Sequence, residues 1–258
     1  MKDDLSADSI TNNLATVFIG RRVVYHSSVD STNNVAKQEA LGGSSEGMAV
    51  IAGRQLSGRG RLGRSWLSPE GSISLSIILY PPLYYLHTLI MLSSLALVNS
   101  IGTVTGLRAE IKWPNDIMVR GGKVSGILIE SSVSAGVVDY AVIGIGVNVN
   151  LQLRNFPEIA AFATSLSDEL GREIPVLFLI RSILAEMENQ YLNVLGGGDI
   201  YPEWRSRLLN MGKRVSVQSG DFLIEGIAES VARDGSLLIR RNDGILERVI
   251  AGDVKLFQ

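Results

Sequence analysis

Apolar and polar positions follow two different periods along this chain, and the alternation of the two predicts a mixed α/β fold. Short apolar or alternating runs bounded by glycine, proline or asparagine are typical of strands. They cover Arg21–Ser28, Met48–Gly53, Ser72–Leu79, Ala109–Trp113, Asp116–Arg120, Val124–Ser132 and Val138–Asn148. Patterns typical of helices cover Leu5–Phe18, the stretch from Asp30–Asn33 to Leu41, Tyr85–Gly102, Pro157–Leu170, Pro175–Leu195 and Tyr201–Leu209. Helices interspersed with strands indicate a sheet with flanking helices.

The pattern changes after Met211–Gly212, where short alternating runs follow one another closely. They cover Arg214–Gln218, Phe222–Val231, Ser236–Arg240 and Glu247–Ala251, with turns at Ser219–Asp221, Asp234–Gly235 and Asn242–Gly244. Closely spaced strands of this kind predict a small β-barrel. We therefore divide the chain into an N-terminal linker helix (1–20), a large α/β domain (21–211) and a C-terminal barrel (212–258).

Composition narrows the classes of function. With 24 Lys+Arg against 26 Asp+Glu, the net charge of −2 gives no general reason to bind nucleic acid or an anionic membrane. The absence of cysteine excludes disulfides, cysteine zinc sites and thiol nucleophiles. His26 and His87 are too far apart in sequence to predict a histidine metal site, so no metal-ligating residue is assigned.

A cytoplasmic location is the default expectation, since no targeting segment is recognised. The polar, acidic start of the chain lacks the basic-then-apolar order of a signal peptide. The apolar stretch Leu89–Val98 is far shorter than the ~20 residues of a membrane span and is interpreted as a core helix.

The segment Gly58–Pro69 (GRGRLGRSWLSP) carries the strongest chemical signal. Its glycines let the backbone approach a ligand closely, and its three arginines match carboxylate and phosphate groups. A flexible surface loop with solvated charge is the alternative. Trp66 disfavours that alternative, because an exposed tryptophan gains little unless it packs on something. Gln55, just before the loop, carries an amide that both donates and accepts hydrogen bonds, as a urea-like ligand requires.

Three further motifs lie on predicted strands. In Lys112–Asp116 (KWPND), Pro114 interrupts the strand pairing and displays its neighbours, although the segment also fits an ordinary capped turn. In Lys123–Glu130 (KVSGILIE), the interior Gly126 marks a close approach of a ligand or backbone, while Lys123 alone also fits a surface charge. Gly144–Asn150 (GIGVNVN) is a glycine-rich strand that is not a dinucleotide fingerprint, because no helix follows it directly.

Together with Asp30–Asn33, these motifs resemble the biotin protein ligases in order and approximate spacing, over roughly Ile19 to Gln258. The resemblance implies a class II aminoacyl-tRNA synthetase-like (biotin–lipoate ligase) catalytic domain with an SH3-like barrel. It implies that ATP activates biotin to biotinyl-5′-AMP, and that a lysine of a biotin carboxyl carrier protein then takes the biotinyl group. Mg²⁺ is expected with ATP, and a homodimer is a further expectation.

The resemblance also implies roles for individual residues. The expected biotin-binding residues are Ser31, Thr32, Asn33, Gln55, Arg59, Gly60, Arg61, Lys123, Gly126 and Ile127. The expected ATP-binding residues are Arg59, Arg64, Trp66, Lys112, Asn115, Asn148, Thr164 and Ser165. Lys123, Arg61 and Lys112 are the expected catalytic residues.

Two other functions compete with this interpretation. Lipoate–protein ligases are similar in fold and chemistry, but the loop Arg59–Trp66 resembles the biotin group alone. A non-enzymatic regulator that binds biotinyl-AMP is the second alternative. The residues before Arg21 are too few for the winged helix-turn-helix of repressing bacterial relatives, so nucleic-acid binding is not expected. Leu62 stands where the family loop often has an arginine, so charge at that position is not needed for the assignment.

Overall fold

A seven-stranded mixed sheet forms the centre of the larger domain. The computed structural model describes residues 5–220 and 222–257. Residues 1–4 of the predicted linker helix, Asp221 of the predicted turn and Gln258 at the end of the predicted barrel lie outside the described residues. The strands are β1 (Val23–His26), β2 (Ala49–Ala52), β3 (Ser72–Leu79), β4 (Ala109–Lys112), β5 (Asp116–Val119), β6 (Gly122–Ser134) and β7 (Val137–Asn148). Their order is β1-β2-β3-β7-β6-β5-β4, with β1 and β2 parallel and the other neighbours antiparallel. The predicted mixed α/β fold is confirmed.

Helices cover both faces of this sheet. They are α1 (Ala7–Thr11), α2 (Thr32–Leu41), α3 (Leu89–Thr105), α4 (Pro157–Ala160), α5 (Leu166–Leu170), α6 (Val176–Leu195) and α7 (Tyr201–Ser206). Helices α3 and α6 pack on each other over the main core. Helix α2 covers the opposite face with a smaller cluster that includes Ala36, Met48 and Val142. Because both faces are covered, every residue of β3 is buried, although its serine–isoleucine alternation predicts one polar face.

Within residues 5–220 and 222–257, one helical stretch is long and apolar enough to cross a membrane. The stretch Leu83–Thr105 joins a short 3₁₀ segment to α3, and its most apolar window is 67% buried within the fold. Its buried side chains contact α6 and the sheet, as expected for a core helix.

A second sheet forms the small C-terminal β domain. Its strands are β8 (Arg214–Ser219), β9 (Phe222–Val231), β10 (Leu237–Arg240), β11 (Leu246–Val249) and β12 (Asp253–Leu256), in the order β11-β10-β9-β8-β12. Alternation predicted the first four strands and missed the four-residue β12. Trp113 ties the two sheets together, because its indole N–H donates to the Gly235 carbonyl at 2.7 Å. Its backbone N–H donates to Asn210 Oδ1, also at 2.7 Å.

The predicted helix Pro157–Leu170 is wrong, because the chain breaks between α4 and α5. In the break, Lys123 N–H donates to the Phe162 carbonyl (3.0 Å), and Thr164 N–H donates to the Lys123 carbonyl (2.9 Å). These bonds to β6 replace helical bonds, and the Ser165 side chain caps α5 by accepting from the Asp168 N–H. The ends of the predicted helix form α4 and α5, but hydrogen bonds to β6 replace the helical bonds between them.

The predicted N-terminal helix is also shorter than Leu5–Phe18, since α1 ends at Thr11. The chain then runs along α6, where the Glu188 carboxylate is 4% exposed. It accepts three backbone hydrogen bonds, from Val17 (2.6 Å), Phe18 (2.8 Å) and Ile19 (2.8 Å). Ile10 and Ile19 are fully buried in the main core, so the segment is packed into the larger domain.

Glu188→Ala should therefore lower the free energy of unfolding by about 3 kcal/mol, because it strips a charged acceptor from several backbone donors at once. Urea denaturation followed by circular dichroism measures this loss. Glu186→Ala on the same helix is the matched control, since that carboxylate accepts none of these bonds. Equal stability of the two variants would contradict the anchoring role.

Candidate active site

The predicted motifs meet in one pocket between the two sheets. Its walls come from the start of α2, the loop Gly58–Pro69, the inner ends of β6 and β7 and the corner before α5, together with Gly252 and Asp253 of the C-terminal β domain. Most of the predicted binding residues line it: Ser31, Thr32, Asn33, Gln55, Arg59, Gly60, Arg61, Arg64, Trp66, Asn115, Lys123, Gly126, Ile127 and Asn148.

Three predicted residues do not line the pocket. Lys112 lies on β4 opposite Asp116, and its charge reaches the pocket only by helping to lower the pKa of Asp253. Thr164 turns its hydroxyl to Glu169 Oε1 (2.6 Å). Ser165 is fully buried, donates to the Leu151 carbonyl and caps α5. Thr164 and Ser165 therefore stabilise the turn before α5, which lies behind the pocket lining.

Two glycines form the floor of the pocket. Gly126 on β6 and Gly146 on β7 are paired across the antiparallel ladder. The Trp66 indole lies against them, so a Cβ at position 146 would overlap the ring, and a Cβ at 126 would lie 3.3 Å from Cζ3. A side chain at Gly144 would overlap Asn33 in the same way. The glycines thus give two flat strands that accept the loop tryptophan and α2 at close range.

The glycine–arginine loop folds over the pocket as a small hairpin. Gly60 N–H donates to the Arg64 carbonyl (2.7 Å), and Trp66 N–H donates to the Gly58 carbonyl (2.8 Å). Leu62 and Gly63 make the turn with positive φ angles of 55° and 72°.

The three loop arginines are directed to separate partners. Arg59 lies 3.2 Å from Glu130 Oε2. Arg61 donates to Asn115 Oδ1 (3.2 Å) and to the Gly252 carbonyl (3.4 Å). Arg64 makes two hydrogen bonds to Asp253, at 3.0 and 2.6 Å. Because each arginine has its own protein partner, the three side chains can lie around one pocket without a bound anion.

Arg61 and Arg64 differ in their electrostatic environment. Burial lowers the pKa of Arg61, against the raising effect of the nearby Asp116 and Asp253 charges. The Arg64 hydrogen bond holds the pKa of Asp253 below its ordinary value. Arg61 is thus a largely desolvated cation over the pocket, where its charge acts more strongly than in water.

Lys123 stands at the edge of the glycine floor. Its Nζ lies 2.6 Å from Asp116 Oδ1 and 5.4 Å from the centroid of the Trp66 ring. Asp116 belongs to the KWPND motif and lines the pocket, although the sequence assigned it no role. The pair leaves a cation within the pocket that an incoming carboxylate can share.

Unpaired polar atoms also face this region. In the described ranges 5–220 and 222–257, buried Trp66 Nε1 and Asn148 Oδ1 have no hydrogen-bond partner. The Asn148 amide nitrogen donates to the Thr164 carbonyl at 3.1 Å, which fixes the oxygen on the other side. A buried donor and a buried acceptor without protein partners are groups that a bound water or a ligand can satisfy.

The remaining lining residues were not assigned individual ligand contacts from the sequence. They are Leu62, Ser65, Leu67, Asp116, Leu128, Gly144, Ile145, Gly146, Ile159, Phe162, Ala163, Gly252 and Asp253. Most of them lie within or beside the sequence motifs, so their closeness to the predicted residues was the only signal for them. Gly252 and Asp253 carry no local signal, because they reach the pocket from another sheet.

Comparison with known proteins agrees with this geometry. The Biotin/lipoate A/B protein ligase family matches residues 25–148, and the Biotin protein ligase C terminal domain matches residues 211–256. The bifunctional ligase/repressor BirA of Bacillus subtilis is 35% identical over 98% of this chain and 79% of its own length. The biotin–[acetyl-CoA-carboxylase] ligase of Paracoccus denitrificans is 34% identical over 82% of this chain and 91% of its own length. The chain belongs to the biotin protein ligase family.

A solved structure supports the same assignment. The biotin protein ligase from Aquifex aeolicus in complex with biotin and ATP superposes with a TM-score of 0.80 and 28% identity, covering 92% of this chain and 99% of the other. As a member of the biotin protein ligase family, the chain is an ATP-dependent ligase that activates biotin and transfers it to a carrier protein. No cluster of three or more histidine, cysteine or acidic side chains suited to a metal occurs in the part of the chain that the structure describes.

Gly146→Ala tests the glycine floor. The added Cβ overlaps the Trp66 indole, and displacing a packed ring should slow adenylate formation about tenfold, since overpacking costs about 1–3 kcal/mol. Biotin-dependent pyrophosphate release measures the rate. Tryptophan fluorescence reports the displacement of Trp66. The other two tryptophans, Trp113 and Trp204, are buried elsewhere, so their emission should not change.

The control for this substitution is Gly102→Ala in α3, where a Cβ comes no closer than 3.9 Å to a neighbour. It should leave both rate and fluorescence unchanged. Wild-type kinetics in Gly146→Ala would mean that close packing of Trp66 is not needed for the reaction.

Proposed function

We propose that the pocket binds biotin with its ureido ring at the start of α2 and its carboxylate beside Lys123. ATP would then lie between the arginine loop, Asn148 and the barrel edge. The observation that supports this orientation most directly is the division of the pocket. The neutral end holds the hydrogen-bonding groups of Ser31, Thr32 and Gln55, and the cationic end holds Lys123, Arg61 and Arg64 beside Asp116 and Asp253. Arg59 lies apart from the other cations, because it pairs with Glu130 and donates to Asn34 of α2.

The neutral end suits a planar urea-like group. Thr32 N–H donates to Gln55 Oε1 at 2.8 Å, so the Gln55 amide presents its nitrogen elsewhere as a donor. Ser31, the N-cap of α2, makes no side-chain capping bond and is 3% exposed. A ureido ring offers one acceptor oxygen and two N–H donors, which these groups complement. The dithiolane ring of lipoate offers none of these groups, so this end favours biotin.

The cationic end suits adenylation. A biotin carboxylate oxygen attacks the α-phosphorus of ATP, the bond to the pyrophosphate oxygen breaks, and pyrophosphate leaves with the electron pair. Negative charge builds up on the phosphoryl oxygens during this step. Lys123 and the partly buried Arg61 stabilise that charge, and Arg64 contributes at the more exposed rim. Arg59 and Gly60 close the loop over the new ester.

Mg²⁺ fits the oxygen groups of this end. Asp116 supplies a carboxylate, and Asn148 Oδ1 is a buried oxygen without a protein partner. Mg²⁺ is usually held by one or two protein oxygens together with substrate phosphates, so a dedicated acidic cage is not required. When bound, Mg²⁺ would neutralise phosphate charge. Asn115 accepts a hydrogen bond from Arg61, and the charge of Lys112 helps to keep Asp253 ionised by lowering its pKa.

The second step needs the adenylate to be kept from water. Trp66 and the folded loop cover the glycine floor where the mixed anhydride would lie. The amine of a carrier-protein lysine attacks the biotinyl carbonyl, an amide forms, and AMP leaves. We propose a biotin carboxyl carrier protein as the partner and the cytoplasm as the location. A homodimer remains a prediction from the family resemblance.

Incubation with biotin, ATP, Mg²⁺ and a biotin carboxyl carrier domain should add one biotinyl group to one carrier lysine. Mass spectrometry of the carrier measures the addition, and a carrier with that lysine changed to arginine is the control. Lipoate in place of biotin should give neither pyrophosphate release nor carrier modification. Release with lipoate alone would assign the chain to the other branch of the wider family.

Lys123→Ala should lower the rate of pyrophosphate release about a hundredfold or more, by comparison with the loss of one transition-state donor elsewhere. The unfolding midpoint should change little, because the pair with Asp116 is partly exposed. Lys255→Ala on the exposed face of β12 is the matched control. A near-normal rate in Lys123→Ala would make the lysine a surface charge.

A further inference from the structure

Arg59 links the arginine loop to two other parts of the large domain. It lies in the first arm of the loop hairpin, opposite Ser65 of the second arm. Its guanidinium donates to Asn34 Oδ1 on α2 at 2.6 Å and to Glu130 Oε2 on β6 at 3.2 Å. Asn34 and Glu130 are not among the described residues that line the pocket, whereas Gly60 and most of the hairpin line it. The Arg59 guanidinium is therefore bound to partners outside the pocket.

Glu130 gives Arg59 an anionic partner with a fixed position. It belongs to a strand that pairs with β7, and its carboxylate also accepts from Asn33 Nδ2 and Lys37 Nζ, both at 2.8 Å. Burial alone would raise the pKa of Glu130, but the hydrogen bonds from Lys37 and Asn33 outweigh it and hold the pKa below its ordinary value. The carboxylate therefore stays ionised at neutral pH and is held in place by groups outside the loop.

The loop arm that Arg59 anchors has little rigidity of its own. Gly58 and Gly60 flank the arginine, and glycine loses more conformational freedom on ordering than any other residue. The second arm is anchored separately, through Trp66 on the glycine strands and Arg64 at the C-terminal β domain. Loss of the Arg59 contacts should therefore free the first arm while the second arm stays attached.

We propose that Arg59, Asn34 and Glu130 form a clamp that holds the arginine loop closed over the biotin end of the pocket. Asn34 and Glu130 are positioning residues that act through Arg59. The clamp sets the rate at which biotinyl-AMP leaves the pocket, not the rate at which it forms, and it rests on the proposed orientation of biotin.

The size of the contact suits a local role. The Arg59 side chain is 42% exposed, so its ion pair contributes little to the stability of the whole domain. Opening of one loop arm is a local event that breaks few contacts, so a contact of this size is enough to change its rate.

Asn34→Ala should speed the release of biotinyl-AMP about fivefold, the effect of one net hydrogen bond. In the proposed function the adenylate stays bound until a carrier arrives, so without a carrier its departure limits the steady-state release of pyrophosphate. That steady-state rate should therefore rise by the same factor, while the first burst turnover stays within about twofold of wild type. Rapid-quench measurement of pyrophosphate, with gel filtration to separate free from bound biotinyl-AMP, follows both rates. A variant with structural damage alone would lose rate and would not gain it.

Gln38→Ala is the matched control, because it removes an exposed side-chain amide one turn further along α2. It should leave both rates unchanged. Asn34→Asp keeps an acceptor for Arg59 and should release the adenylate no faster than wild type. Alanine is favourable inside a helix, so the unfolding midpoint of Asn34→Ala should not fall.

Double variants show whether the two partners act through Arg59. Arg59→Met removes both clamp contacts at once and should release the adenylate faster than Asn34→Ala. Glu130→Gln weakens one acceptor and should change the rate in the same direction. Neither Asn34→Ala nor Glu130→Gln should speed release further in an Arg59→Met background, because the contact that each supports is already lost. A further increase from either change would overturn the clamp.

Adenylate release from Asn34→Ala within about twofold of wild type, or an equal rise in Gln38→Ala, would also overturn the inference. A wild-type protein that forms no biotinyl-AMP would instead contradict the proposed function. Trypsin then tests the clamp alone, since Asn34→Ala should be cut faster than Gln38→Ala after Arg59 and Arg61. Equal cleavage of the two variants would show that no clamp holds the loop.

Discussion

The close approach of Trp66 to the glycine strands is the contact on which the site depends. Gly126 and Gly146 are neighbours across the β6–β7 ladder, and only their missing side chains leave room for the indole. This contact anchors the end of the arginine loop to the central sheet. The loop hairpin, the turn at Leu62 and the direction of each arginine follow from that anchor. A side chain at Gly146 would overlap the indole and displace the loop from the sheet, whereas one at Gly126 would require only a small shift of the ring.

Charge in the pocket is balanced pair by pair. Arg59 pairs with Glu130, Arg64 with Asp253 and Lys123 with Asp116. Each pair is partly exposed, so each contributes little to stability by itself. Their value lies in keeping several cations close together around a pocket before a substrate arrives. In the function that we propose, phosphate and carboxylate oxygens of the substrates take over from these protein carboxylates.

The C-terminal β domain contributes residues to the pocket. Gly252 and Asp253 meet Arg61 and Arg64, and Trp113 fixes the relative position of the two sheets through Gly235 and Asn210. A substitution at Gly252 or Asp253 is therefore expected to change the conformation of the arginine loop. The break between α4 and α5 has a similar effect from the other side, because its pairing with β6 holds Lys123 at the pocket edge.

The sequence by itself determined the fold class, most element positions and most of the pocket. Periodicity placed α6 and β3 to within a residue at each end, and the glycine, arginine and KWPND motifs contained most of the lining residues. These features are local, since they depend on which residues are adjacent in the chain. Tertiary structure decided what depends on contacts between distant residues. It broke the helix at Ala163, shortened α1 in favour of the Glu188 anchor, and turned Thr164 and Ser165 away from the pocket. It also brought Asp253 to Arg64 and linked Glu130 to Thr32 through Asn33 and Ser76, because hydrogen bonds between elements follow spatial distance, which periodicity does not encode.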